Sequence, residues 1–214
     1  MTSGYDTKFE LDNACPVFAA AMPHLLRAYG RGAEADARRT AALGPLVQAL
    51  RNSRSDTAGA ERSGFAMADL ARRWAARALD AAGLPSLAAE LRDCEAIVDA
   101  RTAEAAERVA AAVTPTPRAG ELSAGAAARA ARCAAWAAAA YAPHAVHAIR
   151  NAAWAAEHAA DAAMHAAEAV GLAAKFAGTD WPHADKSART DLDAFDMCVS
   201  ELLALVQRET ARGA

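Results

Sequence analysis

The sequence predicts an all-α protein, a single-domain helical bundle of about seven or eight helices that is alanine-rich in its second half. Hydrophobic residues make up 54% of the 214 residues but aromatics only 6%, so alanine supplies much of the apolar content. Alanine is the strongest helix former, and its small side chain lets helices pack closely. Segments that alternate Val, Ile, Thr or Tyr with polar residues, the signal of a strand, do not occur in the sequence.

The first two helices are predicted from apolar residues that recur at helical spacing. The first is predicted to be capped by Asp12 or Asn13, to carry Pro16 in its opening turn and to stop at Gly30. The second covers about 33–52, and Pro45 should bend it.

The next three helices are separated by capping residues. The third covers about 60–82 and ends at Gly83. Ser86 is predicted to cap a fourth helix that reaches Val98, and Thr102 is predicted to cap a fifth.

A proline-rich segment then divides the chain, because Pro115 and Pro117 cannot both lie inside a helix. We therefore predict a flexible tail at 1–12 and one helical domain at 13–214, with two packed halves at 13–113 and 123–212 joined by a linker at 114–122.

Alanine dominates the second half, and the string Ala-Ala-Trp-Ala-Ala surrounds both Trp136 and Trp154. Residues 123–177 are predicted to form a close-packed alanine hairpin, with Gly171 and Gly178 as alternative ends of its second helix. A last helix is predicted over about 186–211.

One face of the second helix of the alanine hairpin carries a set of polar and aromatic residues, which we call the polar stripe. Steps of three and four residues place its members within an arc of about 80°. An amphipathic helix that faces water gives the same pattern. Histidine, asparagine, aspartate and tryptophan are nevertheless better suited to hydrogen bonding, coordination or stacking. The candidate binding residues are therefore His147, Asn151, Trp154, His158, Asp161 and His165, together with Trp136 from the preceding helix.

Three of these residues are candidate metal ligands. His158, Asp161 and His165 share one helix face, a set that would suit zinc, copper or nickel if another helix completed the site. The motifs HExxH and Glu-x-x-His, which would indicate zinc proteases and di-iron bundles, are missing from the sequence. We expect no cofactor, with a divalent transition metal as the alternative.

The charge of the chain and its N-terminal sequence indicate which partners and which cellular location to expect. The net charge is −3, with 23 basic and 26 acidic residues, so the sequence favours a protein or small-molecule partner over nucleic acid. Ionisable residues interrupt the long alanine-rich stretch, so no membrane partner is expected. With no secretory signal and four scattered cysteines, the sequence indicates a cytoplasmic protein with reduced thiols, and its arginine and alanine content suggests a bacterial source.

Two further features have simpler interpretations. Asp191, Asp193 and Asp196 form an acidic run, which we attribute to stabilisation of the last helix by its dipole. Trp74 lies in a regular apolar stripe and is predicted to fill the core, the usual place of a tryptophan in a helix.

Four segments follow one another over about 74–170, namely Arg73-Trp74-Ala75-Ala76-Arg77, the helix pair over 91–113, Ala127-Ala128-Arg129-Ala130-Ala131 and Ala142-Pro143-His144-Ala145. In this order of features the chain resembles a family of alanine-rich helical immunity proteins found beside bacterial polymorphic toxins. The resemblance implies a helical bundle that binds a protein, and it assigns no functional residue.

Two functions follow from the sequence, and it leaves open whether the protein is an enzyme. The first is a non-catalytic helical binding protein, an immunity or accessory protein acting by protein–protein contact, which predicts an exposed polar stripe. The alternative is a small-molecule or metal-dependent enzyme with a helix-lined pocket, which predicts a buried stripe around a cavity. A homodimer formed through alanine faces is compatible with both, and no catalytic residue is assigned.

Overall fold

The fold is described from a computed structural model, over residues 14–29, 33–113, 122–140, 148–177 and 184–213. These residues form eight α-helices and no strand, which confirms the all-α prediction. The helices are α1 (Pro16–Ala28), α2 (Ala33–Leu50), α3 (Thr57–Ala81), α4 (Pro85–Asp93), α5 (Ala100–Ala112), α6 (Leu122–Ala139), α7 (Ala148–Ala177) and α8 (Ala184–Gly213).

Helices α3 and α7 form the centre of the bundle. The side chain of Asp56 caps α3 by accepting a hydrogen bond of 2.7 Å from the backbone N–H of Gly59. The helix ends before Gly83, whose φ of +75° is a conformation that favours glycine. Trp74 is buried in the core, as predicted. Helix α7 packs against α1, α3, α6 and α8, so the two halves of the chain share one core.

The alanine-rich helices α6 and α7 pack against each other, as the hairpin prediction requires. Trp136 lies beside His158 and Arg129 beside His165, so the two helices run antiparallel. Small alanine side chains fill the interface, and most of those on α6 are fully buried. Because α6 and α7 leave little space between them, larger side chains lie along their outer edges.

The boundaries around α4 and α5 differ from the prediction. Helix α4 ends at Asp93 and does not reach Val98. The backbone leaves the helical conformation at Cys94, where ψ is 138°. Ser86 lies inside the first turn of α4 and does not cap it. The cap of α5 is Asp99, which forms a reciprocal capping box with Thr102, the residue predicted as the cap.

Of the two alternative ends predicted for α7, Gly171 is wrong, because the helix continues through it to Ala177, the residue before the other predicted end. At Gly171 the Asp191 side chain of α8 occupies the space that a Cβ atom would fill. Several predicted features lie outside the described residues, namely the tail at 1–12, Asn13, Gly30, most of the linker (114–121) and Gly178.

The acidic run of α8 makes tertiary contacts rather than stabilising a first turn. Asp196 accepts hydrogen bonds from the Tyr29 hydroxyl at 2.6 Å and from Arg38 Nε at 2.8 Å, and Arg38 also pairs with Asp193. Since α8 begins at Ala184, these carboxylates lie beyond its first turn. They hold α2 and the end of α1 against α8.

Three of the four cysteines are buried and the fourth is partly exposed, and all are free thiols. Among the helices of the described ranges, none combines the length and apolarity that crossing a membrane would need.

Candidate functional site

Two half-exposed tryptophans mark the outer surface of the α6–α7 pair. Trp136 of α6 and Trp154 of α7 are 47% and 49% exposed. Both rings contact His158, with centroids 5.3 Å and 5.1 Å from its imidazole. These two rings differ from Trp74, which is buried in the core. We call Trp136, Trp154 and His158 the tryptophan surface.

The imidazole of His158 is held without hydrogen bonds. Both of its ring nitrogens are buried, and neither has a hydrogen-bond partner among the described residues. Burial lowers the pKa of His158 below its usual value, and His24 acts in the same direction, while Asp161 and Glu157 act to raise it. The ring is therefore neutral near pH 7.

Asp161 is paired across the bundle. His24 Nδ1 of α1 lies 2.7 Å from Asp161 Oδ1, and both side chains are partly exposed. The polar stripe of α7 is thus continued onto α1, next to the tryptophan surface. Sequence analysis missed His24, because 137 residues separate it from its partner.

The other described histidine of the stripe, His165, belongs to a separate cluster. His165 Nδ1 lies 3.1 Å from Glu168 Oε2 and 3.3 Å from Arg129 Nε, and Arg129 also donates to Glu168 at 2.7 Å. Burial acts to raise the pKa of Glu168, but the hydrogen bonds from Arg129 and His165 outweigh it and keep that pKa below its ordinary value. This cluster is an ion-paired surface network.

The three candidate metal ligands are therefore dispersed over different contacts. His158 contacts the two tryptophans, Asp161 pairs with His24, and His165 lies beside Arg129 and Glu168. In the part of the chain that the structure describes, no group of three or more His, Cys, Asp or Glu side chains is arranged to hold a metal ion. His147 lies outside the described residues, so the metal hypothesis stays a prediction.

The remaining stripe residue, Asn151, is half-buried on α7. Two pockets lined by described residues lie elsewhere, one near the start of α3 and one along α8. The stripe thus runs along a surface, with partly buried side chains, and neither of these two pockets contains it.

A second row of residues on α6 completes the surface. Arg129, Arg132 and Trp136 follow steps of three and four residues, so they share a face of α6. The Arg132 guanidinium lies 5.9 Å from the centroid of the Trp136 ring, a cation–π distance. This spacing is visible in the sequence and could have identified the two arginines.

The cysteine nearest to this surface is not poised as a nucleophile. Burial, reinforced by the charge of Asp161, raises the pKa of Cys133 to about 11. A reactive thiol needs a lowered pKa, because the thiolate is the nucleophile. The surface therefore offers aromatic rings, cations and imidazoles for binding, with no activated thiol at Cys133.

No family model matches this chain, and comparisons with curated proteins and with solved structures also give no match.

Proposed function

We propose that this is a non-catalytic binding protein that recognises a protein partner through the tryptophan surface and the adjoining arginines of α6. The observation that carries the proposal is the pair of half-exposed tryptophans, Trp136 and Trp154, on two different helices around one histidine. Nothing in the helical fold requires two such rings to face water.

Tryptophan is the residue type best suited to anchor a protein interface. Each ring can bury about 150–250 Å² of surface, and tryptophan and arginine are enriched among the residues that dominate binding energy. Trp136 and Trp154 already contact His158, so binding would cost little additional ordering of their side chains.

Charge beside the rings adds specificity. Arg132 is exposed, and no ion pair involving it is found among the described residues, whereas Arg129 is already paired with Glu168. A partner that offers an apolar or aromatic cleft beside a carboxylate would match Trp136 and Arg132 together.

An immunity or accessory protein is the specific form of this proposal. Such proteins act by protein contact, and the resemblance over about 74–170 would make the partner a bacterial toxin domain. The source and the partner's identity are part of the proposal and rest on that resemblance.

Site-specific photo-cross-linking tests the proposal. A benzoylphenylalanine at Arg150, which is exposed on α7 one turn from Trp154, should cross-link one partner protein in cells that produce the chain. The double variant Trp136→Ala/Trp154→Ala should abolish that product. The same probe at Met197, which is 58% exposed on α8, serves as the matched control and should not capture this partner. Absence of a product at position 150, or a product that survives the double variant, would overturn the proposal.

The alternative, a site for a small molecule or a transition metal with enzymatic activity, draws on one observation. Both nitrogens of His158 are buried without a hydrogen-bond partner among the described residues, so a ligand would find an available donor and acceptor there. Histidine-resolved NMR with zinc, copper or nickel separates the two functions. Coupled shifts of His158 and His165 that disappear in His158→Ala and His165→Ala would favour the alternative, whereas unchanged spectra would favour protein binding.

A further inference from the structure

A polar pocket of about 290 Å³ lies away from the tryptophan surface, where the loop before α3 meets the last turns of α8. Phe18 contributes to its wall, and its charged lining residues are Arg54, Asp56, Arg62, Glu209 and Arg212. The volume is near the lower end of pockets that bind small molecules, about 300 Å³. A ligand here would be small.

The unusual group in this pocket is the carboxylate of Glu209. Its side chain is only 7% exposed. Oε1 accepts a hydrogen bond of 2.9 Å from Arg212, but Oε2 is buried with no hydrogen-bond partner among the described residues. Nε of Arg62 lies 3.9 Å from Oε2, an ion-pair distance that is beyond hydrogen-bond range. A buried carboxylate oxygen in this state attracts a cationic donor.

Positive charge surrounds the same space. Arg62 and Arg212 are 52% and 67% exposed, and Arg54 is exposed too, so their guanidinium groups can reach a bound molecule. The pocket also adjoins the first turn of α3, where the helix dipole favours negative charge. Asp56, the second carboxylate of the lining, is already engaged as the cap of that helix.

We propose that this pocket binds a small zwitterion of the α-amino acid class. The ligand's ammonium group would donate to the Glu209 carboxylate, and its own carboxylate would face Arg62 and the neighbouring arginines. Because the lining offers both a carboxylate and guanidinium groups, a cation or an anion alone would satisfy only half of the site.

Calorimetric titration of the full chain tests this with glycine and L-serine as zwitterions, methylammonium as the cation and acetate as the anion. We expect both zwitterions to bind, and each half-ligand to bind at least about tenfold more weakly, equivalent to about 1.4 kcal/mol. Equal binding of methylammonium or acetate would overturn the zwitterion assignment. No heat with any probe at millimolar concentration would overturn the site itself.

Variants locate the binding. Glu209→Gln keeps the shape of the side chain but removes its charge, and it should weaken glycine binding at least tenfold. Arg62→Gln, at a half-exposed position that folding tolerates, should do the same through the carboxylate. Glu104→Gln, on the exposed face of α5, is the matched control and should bind as the unmodified chain does. Undiminished binding in both Glu209→Gln and Arg62→Gln would contradict the proposal.

Discussion

Gly171 of α7 and Asp191 of α8 occupy adjoining space where the two helices cross. A Cβ atom at Gly171 would lie 0.8 Å from Oδ1 and 2.0 Å from Cγ of Asp191. Both distances are far inside van der Waals contact, so the Asp191 carboxylate occupies the space that a side chain at position 171 would need. Glycine is used here for space and not for backbone conformation.

We expect Gly171→Ala to lower the free energy of unfolding by about 1–3 kcal/mol, the usual effect of overpacking. The substitution forces the Asp191 carboxylate out of its position, or separates α7 from α8. This effect opposes helix propensity, which favours alanine over glycine by about 0.5–1 kcal/mol. Urea denaturation followed by circular dichroism measures it.

The matched control is Gly125→Ala on α6, where the nearest foreign atom to an added Cβ is Arg129 Nη1 at 3.9 Å. Here only propensity acts, so stability should rise by up to about 1 kcal/mol. Stabilisation by both substitutions would show that α8 does not depend on Gly171.

The same glycine shows how far local signals predict this fold. Helical spacing predicted the helices themselves, and α3 begins and ends within a few residues of its predicted bounds. The preference of glycine for helix ends offered both Gly171 and Gly178 as the end of α7, and this local signal could not show that the helix continues past Gly171 to Ala177. The early end of α4 has another cause, because Asp69 of α3 accepts a hydrogen bond from the backbone N–H of Ile97 and so holds the extended segment that follows the helix. Since the two residues are 28 positions apart in the sequence, their contact leaves no local sequence pattern.

The buried indole of Trp74 gives the next prediction. Its Nε1–H donates to Glu201 Oε2 of α8 at 2.8 Å, and Arg77 pairs with the other oxygen of that carboxylate. Glu201→Ala should therefore lower the free energy of unfolding by about 1–3 kcal/mol, because it leaves a buried donor unpaired. Thermal unfolding measures the change.

Two variants isolate the cause. Glu201→Gln keeps an acceptor for the indole and should recover much of the loss. Glu95→Ala removes an exposed ion pair with Arg101 and should cost about 0–1 kcal/mol. If Glu201→Gln is as destabilised as Glu201→Ala, the ion pair with Arg77 matters more than the indole hydrogen bond.

The Tyr29 hydroxyl predicts how stability responds to alkaline pH. Burial raises the pKa of Tyr29 well above its ordinary value, and the hydrogen bond to Asp196 and its charge raise it further. The folded state therefore keeps the phenol proton while the unfolded state releases it above about pH 10. Stability from this group is complete below that pH and falls as pH rises further.

We expect the stability of the unmodified chain, relative to Tyr29→Phe, to decrease between about pH 9.5 and 11. Denaturant titrations at several pH values measure this difference in stability. In the phenolate absorbance, the contribution of Tyr29 should appear only when the protein unfolds. A constant difference between the two chains across this range would mean that Tyr29 ionises while the protein is folded.

Part of the candidate site could also be predicted from the sequence. Periodicity placed Trp154, His158, Asp161 and His165 on one face, and the structure has them on the outer side of α7. Periodicity could not show that Asp161 meets His24, since the contact depends on how α1 packs against α7. It also could not show that His165 lies in a separate cluster, because α6 supplies Arg129.

His158 gives the last prediction, on the acidic side. Because burial lowers its pKa, the folded chain resists protonation while the unfolded chain takes up a proton near the ordinary value of 6.5. Stability is therefore complete above about pH 6.5 and falls as pH drops below it. Relative to His158→Gln, the unmodified chain should lose stability between about pH 7 and 5.

Neighbouring charges provide the control, because Asp161 and Glu157 both act to raise the pKa of His158. Asp161→Asn should lower the pKa of His158 further, and Glu157→Gln should do so to a smaller extent, as measured by histidine-resolved NMR titration. Burying the ring beneath a partner at Trp136 and Trp154 would lower this pKa again, so binding to the tryptophan surface should weaken at acidic pH. A pKa of His158 that rises in Asp161→Asn would contradict the effect given to the Asp161 charge, since removal of a neighbouring negative charge cannot stabilise the protonated ring.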